Sequence, residues 1–287
     1  MNKKGGVGKT TISLYLSQSL SEQGEKVLYV DTDPGSSASK VLGFAENELA
    51  KICTIADVLF PSTDVPLKDA IIERKDLPKR KDLRKRKDLP NDWGFDFIPS
   101  EKGLNGWEQS WDPGKEYKIQ EKINQLNTQT NTKYDSVVFD SAPNFGYLST
   151  ATLIASNGVL AVTTPDWLSS EVLSGFLRTQ SQVEARYKLN TKIVYVVINA
   201  FDSRTTHHHE VCKGIETIVS NLIEWNKENG IQQNIRIHDE IIPSRIRIAD
   251  AMSCGVPLKE YPDKTGRDLC AIFSNLAEKI AQEIRKK

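Results

Sequence analysis

Neither sign of charge is in excess in this sequence: its 287 residues hold 38 Lys plus Arg against 38 Asp plus Glu, a formal net charge of zero. That balance excludes a global electrostatic pull toward nucleic acid or a membrane surface, so any such binding must come from a local patch. Cysteine is scarce. The four present, Cys53, Cys212, Cys254 and Cys270, are far apart and form no C-x-x-C pair. A zinc or iron–sulfur site built within one motif is thereby disfavoured, and buried reduced thiols are the expectation. No apolar run approaches the roughly 18 residues that a membrane-spanning helix needs, and no charged-then-apolar leader opens the chain. A cytoplasmic protein is expected. What the chain does have is 38% hydrophobic residues, enough at this length for a substantial core in one large α/β domain or two small ones.

Short apolar runs alternate with longer stretches of helical period, the pattern of a mostly parallel, doubly wound sheet flanked by helices on both faces. Strands are predicted at 27–30, 95–98, 136–139, 159–163, 193–198 and 235–242. Helices are predicted at 10–23, 118–126, 170–187 and 207–228, with a last one from Arg267. That final helix carries Leu269, Ile272, Phe273, Leu276, Ile280 and Ile284 at three-to-four spacing. Such a stripe either closes a core or lies on a membrane. With Phe273 as its only aromatic, packing is expected. One segment breaks the alternation: residues 74–91 read RKDLPK, RKDLRK, RKDLPN, three near-copies of a basic unit punctuated by Pro78 and Pro90. An exposed insertion is predicted there, either a plain solvated loop or a basic tongue on phosphates.

The chemistry concentrates at residues 3–11, KKGGVGKTT, ahead of a helical segment. Gly5, Gly6 and Gly8, with Val7 between them, let the backbone wrap a phosphate chain and aim N–H groups inward, and the helix that follows adds its positive end. Lys9 supplies charge to the β- and γ-phosphates, the Thr10 hydroxyl suits Mg2+, and Thr11 follows in the same turn. Two acidic strand ends accompany the loop. LYVDTDP at 28–34 carries Asp31 and Asp33, and VVFDSAP at 137–143 carries Asp140, each where α/β sheets place their ligands. A lone strand-end Asp is often a helix cap; three of them downstream of such a loop are not easily explained that way. Thr10, Asp31 and Asp140 are the candidate metal-side groups.

With these residues the sequence resembles the ParA/MinD group, the P-loop ATPases with a deviant Walker motif K-G-G-x-G-K-[ST], matched here by residues 4–10. The resemblance covers nearly the whole chain as one P-loop ATPase domain over 1–287 with the insertion at 74–91. VVINAFDSRT at 196–205, IIPSRIRIADAMSCGVPLKEY at 241–261, IADVLFPS at 55–62 and FIPSE at 97–101 fit the ParA branch. It implies ATP and Mg2+ as cofactors. Lys4 would reach the partner's nucleotide in a homodimer, Asp33 would position the attacking water, and Asn199, with Pro243 near it, would meet the adenine. It also implies nonspecific DNA binding through Arg204, Arg245 and Arg247, with Lys213 as a neighbour, and an activating ParB-like or adaptor protein. On that reading the chain is nucleoid-associated.

Two departures stand out. Gly35 follows the D-x-D-P turn where ParA proteins usually have Gln. Only Met1 and Asn2 precede the lysine pair, whereas the family feeds its loop from an apolar strand. The expectation is therefore a short apolar strand encoded upstream of Met1, or else a gap at the centre of the sheet. No N-terminal helix-turn-helix extension is present, so sequence-specific operator binding is not expected.

The leading function is a cargo-positioning ATPase that moves a plasmid, a chromosome or a protein organelle such as a carboxysome. The alternatives are a MinD-like membrane-associated regulator, which would need a basic, aromatic C-terminal tail where the chain offers EIRKK, and a metabolic P-loop phosphotransferase. The triplet His207–His209 points around a helix and not to one metal. Surface histidines at a helix start are expected.

Overall fold

A computed structural model describes residues 6–63, 65–78, 92–129, 133–143, 145–189, 191, 193–260 and 265–286, the last segment by its backbone alone up to 268. Six strands are described: β1 (Val27–Thr32), β2 (Asp96–Ile98), β3 (Ser136–Ser141), β4 (Gly158–Thr163), β5 (Ile193–Ile198) and β6 (Ile235–Ile237). The helices before β2 are α1 (Lys9–Glu22), α2 (Ser37–Val41), α3 (Glu46–Leu49) and α4 (Ile55–Leu59). After it come α5 (Leu104–Gln109), α6 (Lys118–Gln129), α7 (Tyr147–Ile154), α8 (Trp167–Tyr187), α9 (Thr206–Glu228), α10 (Ile246–Cys254) and α11 (Thr265–Arg285).

All pairings between these strands are parallel, in two groups ordered β2-β1-β3 and β4-β5-β6. Parallel strands covered on both faces read as unbroken apolar runs, and β1 and β5 are buried along their whole length. Among the described strands none joins the two groups. Between β3 and β4 lies a cavity of about 370 Å³, walled by Ile12, Leu16 and Leu20 of α1 and by Ile280, Ala281 and Ile284 of α11. Ser136 to Phe139 of β3 stay half-buried beside it, while β1 next door is sealed. Among the described residues the two strand groups are thus separated by this cavity.

One face of both half-sheets shares a core. Tyr29 and Phe97 from the first half, and Ile193 and Val197 from the second, belong to a single apolar cluster with α1, α10 and α11. The opposite faces are separate: α4 to α7 cover the first half, and α8 and α9 the second. The stripe of α11 faces this shared core, with Leu269, Phe273, Leu276 and Ile280 buried and Phe273 set 5.2 Å from the ring of Tyr15. The packing role expected for this helix holds. Among the described residues no helix is long and apolar enough to cross a membrane.

Three expectations need correction or narrowing. The strand predicted at 235–242 ends at Ile237. The amide of His238 still donates to Val196 O, and that of Ile242 to Ile198 O. Between them the charged pair Asp239 and Glu240 draws the chain off the edge of β5. The cysteines are reduced but half-buried, not buried. Of the basic repeat only 74–78 is described: Arg74–Asp76 form a 3-10 turn anchored by the Arg74 amide on Asp96 Oδ1, and Leu77 is buried. Residues 79–91 lie outside the described residues.

Candidate functional site

The site lies at the C-terminal ends of β1, β3 and β5. Gly6 and Gly8 have φ of 79° and 95°, the left-handed region that costs glycine least. A Cβ on Gly8 would collide with the Asn199 amide. The loop therefore needs glycine there both for its turn and for the approach of β5. From Gly8 the chain enters α1, whose first turn has no side-chain cap and no acidic residue. Uncapped first-turn N–H groups together with the helix dipole favour an anion. Glycine cradle, bare helix end and lysine together fit a phosphate chain. Lys4 and Gly5 lie outside the described residues.

Lys9 starts α1, where burial pulls its ammonium below the usual lysine range, against the opposing attraction of Asp140 and Asp33. Next to it, Thr10 Oγ1 donates to Asp140 Oδ2 at 2.7 Å. A hydroxyl and a carboxylate converging beside a phosphate loop form a donor set that a hard divalent cation accepts. Thr11 is half-buried in the same turn.

The three carboxylates have different surroundings. Asp31 and Asp140 are paired positions across β1 and β3, both buried. Desolvation first holds both carboxyls above the ordinary range; the charge of Asp140 adds to it at Asp31, and at Asp140 the Thr10 bond works the other way while the charge of Asp33 raises it. Asp31 turns away from the loop: its Oδ1 accepts the Asp33 amide, and its Oδ2 accepts both the amide and the hydroxyl of Ser39. Asp31, expected on the metal side, thus has both oxygens engaged by the turn that follows β1 and by α2, whereas Thr10 and Asp140 bond each other. Asp33 sits on that turn, half-buried, with Oδ1 accepting the Gly35 amide at 2.8 Å and its own carbonyl accepting Ser100 Oγ. A Cβ at Gly35 would approach Asp33 Oδ1 to 3.1 Å. The glycine that stands where the resemblance expects Gln thus leaves room for this carboxylate. Ser39 and Ser100 were not among the residues singled out from the sequence; only FIPSE hinted at the second.

Asn199 directly follows β5, and its Nδ2 donates to Val7 O at 2.8 Å, so it ties the loop to the second half-sheet. Pro243 bridges to Phe201 on the same rim, which brings the two residues expected near the base to one place. Arg204 is mostly exposed but already paired: Nε and Nη2 reach both oxygens of Asp202. Arg245 is exposed at the start of α10, and Arg247 is half-buried in its first turn. His208 Nδ1 accepts the Asp202 amide and His209 meets Ser203 O, so these histidines cap the turn before α9. Among the described residues no group of three or more His, Cys, Asp or Glu side chains gathers to hold a metal by itself.

A parallel sheet, a glycine loop running into an uncapped helix and strand-end carboxylates beside it define a P-loop nucleoside triphosphatase fold. The chain belongs to the family whose model is described as an AAA domain, which matches residues 1–195, and within it the chain is of the ParA partition-ATPase type. It is 26% identical over 285 residues to the chromosome partitioning protein ParA of Caulobacter vibrioides, covering 99% of this chain and 91% of that one. Its fold is similar to that of the McdA(D38A)–ATP complex of Cyanothece, with a TM-score of 0.72 and 21% identity, covering 100% of this chain and 96% of the other. A similar fold is found in a cobyrinic acid a,c-diamide synthase of Mycobacterium smegmatis with bound ATP analog and magnesium, with a TM-score of 0.68 and 22% identity, covering 98% and 92%.

Proposed function

We propose that the protein is an Mg2+-dependent ATPase that switches a homodimer on and off DNA to position or segregate cargo: a plasmid, a chromosome or a protein organelle. A ParB-like or adaptor protein on the cargo stimulates hydrolysis and releases the dimer. Its place of action is the cytoplasm, on the nucleoid. The observation that carries this reading is the Thr10–Asp140 bond beside Lys9, under the turn that presents Asp33.

Bound ATP supplies the phosphoryl group passed to water, and Mg2+ the charge that offsets its oxygens. The loop amides at 6–8 and the first turn of α1 hold the phosphates, and Lys9 neutralises them. Thr10 and Asp140 hold the cation side. Asp33 orients water for attack, and Lys4 serves the partner subunit's nucleotide. Asn199 and Pro243 form the side of the site where the base would rest. The membrane-regulator alternative loses support because the stripe of α11 is spent on the core.

DNA supplies the test. Phosphate contacts release counterions, so log affinity should fall with log salt at about −0.9 per contact. Arg247→Ala removes one arginine per subunit, so the slope in the ATP-bound dimer should shrink by about two units, equally for unrelated duplexes. Arg204→Ala should shrink it by less than two units, since Asp202 already takes the Nε–Nη2 edge of that guanidinium. Fluorescence anisotropy across a salt series reads both. A slope unchanged in all of Arg204→Ala, Arg245→Ala and Arg247→Ala would remove DNA from the proposal.

A further inference from the structure

Residues 142–146 link Asp140 at the end of β3 to α7, so the place where α7 begins sets the path of the chain that leaves the metal-side carboxylate. Gly146 is the residue before α7 and offers no side chain to cap it. The cap comes from elsewhere: Glu108, at the end of α5, accepts the Leu148 amide on Oε2 at 2.8 Å. Gly146 itself is extended, with φ of −135°, a conformation open to any residue. It is glycine for space, because a Cβ there would collide with Glu108 Oε1. Carboxylate and glycine are two halves of one contact.

The end of α5 is fixed in turn. Lys115 is buried to 2% exposure and donates to the carbonyls of Trp107, Glu108 and Ser110 at 3.0, 2.8 and 2.7 Å. Its ammonium also lies 4.2 Å from the centroid of the Tyr147 ring, the first residue of α7, a cation–π contact. At the other end of the same stretch, Ser100 Oγ donates to the carbonyl of Asp33 at 2.8 Å. Leu104 and Trp107, both fully buried, root the stretch in the core between these ends. Residues 100–108 therefore brace the site at two points, under the Asp33 turn and at the end of the loop from Asp140.

We propose that Glu108 is a positioning residue for phosphoryl transfer: it latches the start of α7 and so sets the loop leaving Asp140 at a fixed distance from the Asp33 turn. This rests on the ATPase reading above. The nucleotide is held by the glycine loop and Lys9, which the latch does not touch, so binding and turnover separate. Displacements of about an ångström near reacting groups cost up to about a hundredfold in rate.

The experiment compares wild type with Glu108→Ala, Glu108→Gln, Gly146→Ala and the Glu108→Ala/Gly146→Ala double variant. It reads affinity for a fluorescent ATP analogue, steady-state kcat and KM, and hydrogen exchange at 142–148. Glu108→Ala is expected to bind the analogue within about twofold of wild type and to lose roughly ten- to a hundredfold in kcat. Exchange at 142–148 should quicken. Glu108→Gln keeps an acceptor oxygen and should recover part of kcat. The double variant should be no slower than Gly146→Ala alone, because both changes break one contact. A Glu108→Ala protein with wild-type kcat, or with unchanged exchange at 142–148, overturns the proposal. So does a defect carried wholly in KM. Absence of ATPase activity in the wild type would instead overturn the proposed function, while the exchange data would still report whether the latch exists.

Discussion

Asp33→Ala is expected to retain nucleotide binding and to slow hydrolysis by on the order of a hundredfold to ten-thousandfold, the range associated with a positioned acid–base group. The three carboxylates near the loop are not equivalent, and that is the basis of the expectation. Asp31 has committed both oxygens to Ser39 and the Asp33 amide. Asp140 is buried and engaged by Thr10. Asp33 alone is half-buried on a turn, with the Gly35 amide on Oδ1 fixing its orientation. Its truncation frees only an amide at an exposed turn, which water satisfies, so the fold should be little affected. Asp33→Asn keeps the acceptor for Gly35 and should be as slow as the alanine variant if the negative charge is what acts on water. Turnover and analogue affinity measured side by side decide this. Hydrolysis at the wild-type rate in Asp33→Ala would assign the role elsewhere.

Lys9→Ala should act on binding itself. Lys9 is half-buried at the start of α1, where Asp140 and Asp33 attract its charge. A hydrogen bond to a charged partner is worth roughly 1.5–3 kcal/mol, and each 1.4 kcal/mol is tenfold. A loss of affinity of about ten- to a hundredfold therefore follows, with and without Mg2+. Thr10→Ala is the contrast, since it removes the hydroxyl on Asp140, with the γ-methyl, and leaves the lysine in place. Affinity measured in a chelator should stay near wild type, and the gain on adding Mg2+ should shrink. Titration calorimetry with an ATP analogue separates the two. Equal affinities in wild type and Lys9→Ala would contradict the phosphate-binding assignment.

The main strands were legible because a buried parallel strand is a run of apolar residues and little else, as VLYV in β1 and IVYVVI in β5 illustrate. Their polar ends were harder. Asp31 and Thr32 continue β1 because β3 pairs with them through Asp140 and Ser141, a partnership no local pattern shows. The converse holds at 238–242, where apolar Ile241 and Ile242 resume but Asp239 and Glu240 have left the ladder. Glycine loop, lysine and strand-end carboxylates were readable as a set because phosphate chemistry restricts residue types so tightly. That both oxygens of Asp31 were already spent was not readable, since Ser39 reaches back from α2. Glu108 was hidden for a related reason: its partner is an amide 40 residues away, and a backbone donor leaves no mark in sequence. The pairing of Arg204 with Asp202, two residues apart, is by contrast local enough to be legible in the sequence.

The separation of the two strand groups also bears on how the molecule comes apart. Lys9, Thr10, Asp33 and Asp140 belong with the β2-β1-β3 half, whereas Asn199 and Pro243 belong with β4-β5-β6. Apart from the face shared under α1, α10 and α11, cohesion near the site depends on local ties such as the Asn199–Val7 bond. Stability in a protein is distributed over units that open separately when few contacts cross between them. Here the two strand groups meet at the nucleotide site, so any opening between them would part Lys9, Thr10, Asp33 and Asp140 from Asn199 and Pro243. A ligand gripping phosphates on one side and base on the other would act as a rivet, merging two units of melting into one.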